Sequence, residues 1–111
     1  MKTRYDKASL ALTASNQTLY TVPSDAEKAI ISFGVCNNIA ADTTLTLWVV
    51  DSGGAAGDTN KYITAVTVAS TAINPLDAIT GMVLETGDFI VAVAADANRL
   101  NLRIGIMEIL G

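Results

Sequence analysis

The chain has 111 residues, half of them apolar and 16% charged, with a formal net charge of −4. That length allows one hydrophobic core and no second domain of ordinary size, and the apolar share excludes a disordered chain. Histidine is absent and cysteine occurs once, at Cys36, which removes the commonest general base, the commonest metal ligand and any intrachain disulfide together.

In chain order, the first segment is basic. Lys2, Arg4 and Lys7 stand against Asp6, a net +2 that leaves −6 on residues 8 to 111. Residues 1–8 read as an N-terminal arm ahead of a single domain over 9–111. Lys2, Arg4 and Lys7, with Tyr5 as an apolar anchor between them, are candidate contacts to an acidic neighbouring subunit; the plainer reading is a solvated terminus. The overall acidity has the wrong sign for a protein that tracks nucleic-acid backbones. No apolar run reaches the ~20 residues needed to cross a bilayer, and no secretory signal is visible at the N-terminus, so a soluble protein made in a reducing cytoplasm is expected.

A period of two then dominates. Ser9–Thr13 and Thr18–Val22 are short strand candidates separated by the turn Ser15-Asn16. Ser24 and Glu27 have the spacing of a helix capping box, but the β-rich run Ile30–Val35 follows at once, so Pro23-Ser24-Asp25 is predicted to be a turn. Ala29–Cys36 sets Ile31, Phe33 and Val35 against Ile30, Ser32, Gly34 and Cys36. Thr43–Val50 sets Leu45, Leu47 and Val49 against Thr44, Thr46 and Trp48. Lys61–Val68, Ala78–Leu84 and Phe89–Ala94 are weaker candidates, the last read as strand despite its alanines. Leu100–Met107 alternates most cleanly, with Leu100, Leu102, Ile104 and Ile106 on one face. Asn37-Asn38, Asn74-Pro75 and Asp96-Ala97-Asn98 read as turns, and Thr86-Gly87 as a tight hairpin. About eight short strands without a helical period predict an all-β fold, an antiparallel two-sheet β-sandwich of jelly-roll type.

Little in this pattern carries chemistry. With no histidine in the chain, Cys36 cannot form a Cys-His pair and reads as an inert structural thiol. Asp51, Asp58 and Asn60 border a glycine-rich loop that could offer oxygens to Ca²⁺ or contact a glycan, but its spacing is not that of an EF-hand and its end is not that of a P-loop. Asp77, Glu85, Asp88, Asp96 and Glu108 show no spacing that selects a catalytic pair. No cofactor motif is present. Trp48 is a candidate partner-binding residue or sugar platform, with Tyr62 as a second stacking ring; a place in a second apolar face is the alternative. Several strands are apolar on both sides, with Ile30 behind Ile31, Trp48 and Val50 behind Leu47 and Val49, and Met107 and Ile109 beyond Ile106. Contact with another subunit would cover the excess.

Tyr20–Pro23, Ala29 to Asn38, the Asp51 to Asp58 loop, Leu84 to Asp88 and the closing Leu100 to Ile109 strand together resemble small β-sandwich virion proteins of tailed bacteriophages, over roughly residues 10 to 109. In that family Tyr20, Pro23, Gly87 and Asp88 would serve structure, so the resemblance implies no enzyme and no cofactor. It implies a virion component made in the bacterial host cytoplasm: a capsid decoration or cement protein, or else a tail, neck or fibre piece. The partners it implies are the major capsid protein or another virion protein and the chain itself, with a homotrimer favoured. A small carbohydrate-binding β-sandwich is the reading from another class.

Overall fold

The computed structural model describes residues 2–37, 42–69, 73–75, 81–96 and 100–111. Among the described residues nine strands follow one another: β1 (Lys2–Ala11), β2 (Gln17–Thr21), β3 (Ala26–Asn37), β4 (Thr43–Val50), β5 (Lys61–Val68), β6 (Ile73–Pro75), β7 (Met82–Glu85), β8 (Phe89–Ala94) and β9 (Leu100–Leu110). One sheet has the order β1-β9-β3, with β6 and β7 both along the far side of β3; the other has the order β2-β8-β4-β5. β6 pairs with Gly34–Cys36 and β7 with residues 28–31, so the two pieces occupy a single strand position. All pairings are antiparallel, and the chain repeatedly crosses between the sheets, which is the two-Greek-key order of a jelly roll.

Alternation builds the core. The even positions Leu100 to Ile106 of β9 face inward beside Ile31 and Val35 of β3, and meet Leu45, Leu47, Ile90, Ala92 and Ala94 of the second sheet. Leu12, Leu19, Val22, Val68 and Leu84 close the ends. Two buried polar side chains are paired, the Asn37 amide donating to the Val68 carbonyl at 3.1 Å, which joins the two sheets, and Thr43 Oγ1 donating to Asp96 Oδ2 at 2.9 Å, whereas the buried Gln17 Oε1 and Trp48 Nε1 have no hydrogen-bond partner.

Several sequence expectations change. Residues 2–8 are not an arm outside the sandwich. They form the first part of β1, which pairs with β9 from Lys2 opposite Leu110 to Ala11 opposite Asn101. The Thr86-Gly87 turn forms, with the Asp88 N–H donating to the Glu85 carbonyl and φ of +86° at Gly87, but it passes from β7 in one sheet to β8 in the other and so is no hairpin. Asn74-Pro75 belongs to β6, where a proline is tolerated because the strand lies at a sheet edge. The turn at Pro23 is confirmed, since the Ala26 N–H donates to the Pro23 carbonyl and β3 begins there. The Cys36 side chain, the residues 76–80 at the start of the predicted Ala78–Leu84 strand, and the turn residues Asn38, Ala97 and Asn98 lie outside the described residues.

Candidate functional site

The inward row of β9 continues past Ile106 to Glu108, whose carboxylate is 2% exposed. A charge there must be matched, because desolvating an unpaired carboxylate is costly. Arg4 on β1, directly opposite Glu108 in the ladder, donates from Nε to Oε1 at 2.6 Å. The Tyr20 hydroxyl on β2 donates to Oε2 at 2.6 Å. Arg4 also reaches the turn before β3, with Nη1 and Nη2 on the two oxygens of Asp25 at 3.0 and 3.1 Å. The hydrogen bonds that Arg4 donates to Asp25 and then to Glu108 raise the guanidinium further above its ordinary value, and the bond from Arg4 in turn lowers the Asp25 carboxyl. Burial, reinforced by Glu108, raises the Tyr20 phenol. Both Glu108 oxygens are taken up within the fold, so this cluster is a clamp on β1, β2, β9 and the Asp25 turn. Arg4, read as a contact to another subunit, spends its planar donor face inside the molecule.

Of the other residues singled out in β1, Lys2, Tyr5 and Lys7 are exposed, Tyr5 at 76%. Tyr5 stands on the outer face of the five-stranded sheet. There the register sets it opposite Met107, Met107 opposite Ile30, and Ile30 opposite Val83, which is 53% exposed. The apolar excess on β3 and β9 therefore forms one row across four strands.

The corresponding excess on β4 has a different fate. Trp48 and Val50, with Val91, make a small cluster on the outer face of the four-stranded sheet, packed by Ala56, Phe89 and Val93. The Asp51 to Asn60 loop folds back over it: Asn60 Oδ1 accepts from the Gly57 N–H at 2.9 Å and Asn60 Nδ2 donates to the Ala55 carbonyl at 2.8 Å. Trp48 is 9% exposed, so its ring is no platform for a sugar, although Tyr62 remains half exposed. The Lys61 ammonium lies 5.9 Å from the centre of the Trp48 ring, a cation–π distance. With its amide committed inside the loop, Asn60 is a fastening. Among the described residues, no three carboxylate, cysteine or histidine side chains gather where an ion could sit. The loop base is pinned across to the β7–β8 turn by Asp88, whose two oxygens accept from the backbone N–H groups of Ser52 and Glu85 at 3.0 and 2.9 Å.

Sequence reasoning missed Glu108, Tyr20 and Asp25 as a unit. The signal was present at Glu108 alone, a carboxylate on the inward phase of the Leu100 to Ile106 alternation; its partners lie 104 and 88 positions away.

No protein-family model matches the chain, and no curated protein matches it significantly. Solved structures do, two of them as follows. The first is a chain from a structure of Bacillus endospore appendages, described as a novel family of disulfide-linked pili, with a TM-score of 0.58 at 14% identity, covering 99% of this chain and 88% of that one. The second is a chain from the structure of the infectious bursal disease virus Gx strain, with a TM-score of 0.52 at 15% identity. The likeness is one of fold. In the second case this chain spans about a third of its counterpart, 34% of that chain against 100% of its own.

Proposed function

We propose that this protein is a non-enzymatic structural subunit, and specifically a bacteriophage capsid decoration protein that binds an assembled shell. The observation that carries this reading is the apolar row Tyr5, Met107, Ile30 and Val83, exposed at its two ends and half-buried between, on the back of a sheet whose other face already fills the core. Isolated exposed apolar residues are ordinary; a continuous row four strands wide is a contact surface. The fold supports the same reading, since the two matching structures described above come from a pilus and a virus. The mechanism is linkage. A protein that binds the closed shell and not its separated subunits stabilises the shell in proportion to its free concentration and affinity. Lys2 and Lys7 on the β1 edge would supply charge toward an acidic shell, with a contribution that fades as salt rises. The test mixes the purified chain with undecorated capsids: co-sedimentation and greater heat resistance of the shells support the reading, and no binding to capsids rejects it in favour of a tail, neck or fibre position.

A filament subunit is a second reading, favoured by the nearly end-to-end match to the pilus chain. A single cysteine links a subunit covalently to one neighbour only, so filaments of this chain could not be held by a continuous series of disulfides. Electron microscopy of the concentrated protein separates the two readings.

A further inference from the structure

The outer face of the five-stranded sheet carries two adjacent rows of opposite relief. In the apolar row, Tyr5 and Val83 are exposed and Met107 and Ile30 are half-buried between them. One pleat further along the strands, Lys7 is opposite Gly105 and Gly105 opposite Ser32, with Gly81, bonded through its N–H to the Ile31 carbonyl, beyond them. This second row is a furrow of about 490 Å³, floored by Gly105, Ser32 and Gly81 and walled by Tyr5, Ile30 and Met107. In the next row lies Gly34, opposite Arg103 and Pro75.

Gly34 is unexplained by the fold. It sits in the middle of β3, is not among the positive-φ glycines, and a β-carbon built on it meets nothing within 4 Å. A glycine inside a strand costs about 0.5–1 kcal/mol relative to alanine, and such positions mark close approach by a ligand or another backbone. Gly105 differs in degree, since a β-carbon there would meet Ser32 Oγ at 2.8 Å.

We infer that this face is the contact surface for a second copy of the same chain, packed sheet against sheet about a two-fold axis that runs along the boundary between ridge and furrow. That rotation lays the ridge of each copy into the furrow of the other, with Met107 over Gly105 and Ile30 over Ser32, and carries the same match back in reverse. Such reciprocity is what an isologous contact requires; a foreign partner would need only the ridge or only the furrow. Strands of the two facing sheets then run aligned, the ordinary geometry of packed sheets. Four strands ~4.8 Å apart and eight residues of ~3.3 Å each give about 500 Å² per copy in projection. The pair buries about 1,000 Å², the lower edge of a specific interface, so association is concentration-dependent. The contact rests on the reading of that row as an assembly surface and assigns it to the second copy, so a shell or a filament would meet another face of the pair.

The experiment is light scattering and sedimentation of the full chain over a wide concentration range, with Met107→Lys and Gly34→Thr. The expected result is a monomer–dimer equilibrium, with a dissociation constant raised at least tenfold by each substitution. Gly34→Thr should do this while leaving the melting temperature of the dilute monomer unchanged or higher, because its side chain has open space and favours a strand. If Met107→Lys does not fold, Gly34→Thr decides alone. A chain that stays monomeric, one that forms trimers, or a dimer that both variants form as tightly as the parent overturns the inference. Capsid binding is measured separately, so a failed dimer and a failed decoration protein are distinguishable.

Discussion

Arg4 and Glu108 face each other across the β1–β9 ladder with Nε and Oε1 2.6 Å apart, the arginine at one end of the chain neutralising a carboxylate buried near the other. Removing the arginine leaves Glu108 with only the Tyr20 hydroxyl. Arg4→Met is therefore expected to lower the urea midpoint, by less than for a fully buried pair because Arg4 itself is partly exposed. Urea titration measures the loss. The double variant Arg4→Met, Glu108→Met should recover much of it, since it removes the stranded charge.

Deleting residues 1–7 is a harsher test of β1. The deletion strips the ladder from residues 105 to 110 of β9 and exposes an apolar edge. A melting temperature lower by about 10 °C or more is expected, corresponding to a few kcal/mol in a domain of this size, with light scattering rising on standing. A truncated protein that melts like the parent would mean that β1 contributes little to the sandwich.

The clamp also sets a pH dependence with two signs. The Asp25 carboxyl is lowered from its ordinary 3.8, chiefly by the bond from Arg4, so its contribution is present above that value and lost as the pH falls through the folded-state value. The Tyr20 phenol is raised above its ordinary 10, first by burial and then by Glu108. Its protonated form is favoured in the folded chain, so that contribution is present below pH 10 and declines as the unfolded chain ionises above it. Urea midpoints against pH should be flat through neutrality and fall at both extremes, and Tyr20→Phe should flatten the alkaline fall.

Much of the sandwich is legible in the sequence where one face meets the core and the other meets water, as in Leu100 to Ile106. β1 is not legible, for a physical reason. Its inward positions Lys2, Arg4 and Asp6 lie on an edge strand where the inner face is open, so they carry charge and imitate a solvated tail. The sequence shows apolar residues on both faces of β4 and β9 but not what covers each face: Trp48 is covered by the chain's own loop, while Met107 lies half-buried on the outer face of the five-stranded sheet. The Glu108 clamp joins four separate segments, and no local spacing encodes it.

Trp48 is the only tryptophan, which makes its environment directly readable. Packed against Val50, Val91 and the Ala56 loop, it should emit at short wavelength and resist iodide quenching. Addition of mono- and oligosaccharides should leave the emission unchanged. Trp48→Ala should cost about 3–5 kcal/mol.

Gly87 holds the crossing from β7 to β8 at φ +86°, and any β-carbon there would also collide with the Ser52 side chain. Gly87→Ala is expected to destabilise by about 1–3 kcal/mol. Pairing it with Ser52→Gly should return only part of that, since the backbone strain remains.

The order of strands in space has a kinetic consequence. β9, the last strand in the chain, lies between β1 and β3, so neither of those can complete its pairing until β9 has emerged from the ribosome. Local hairpins therefore cannot assemble the five-stranded sheet piece by piece. Closing such distant pairs incurs loop entropy before contacts repay it, which places folding in the slow range of small domains, about milliseconds to seconds. During synthesis the nascent chain presents two unpaired strand edges to its surroundings, and the sandwich closes in one late step.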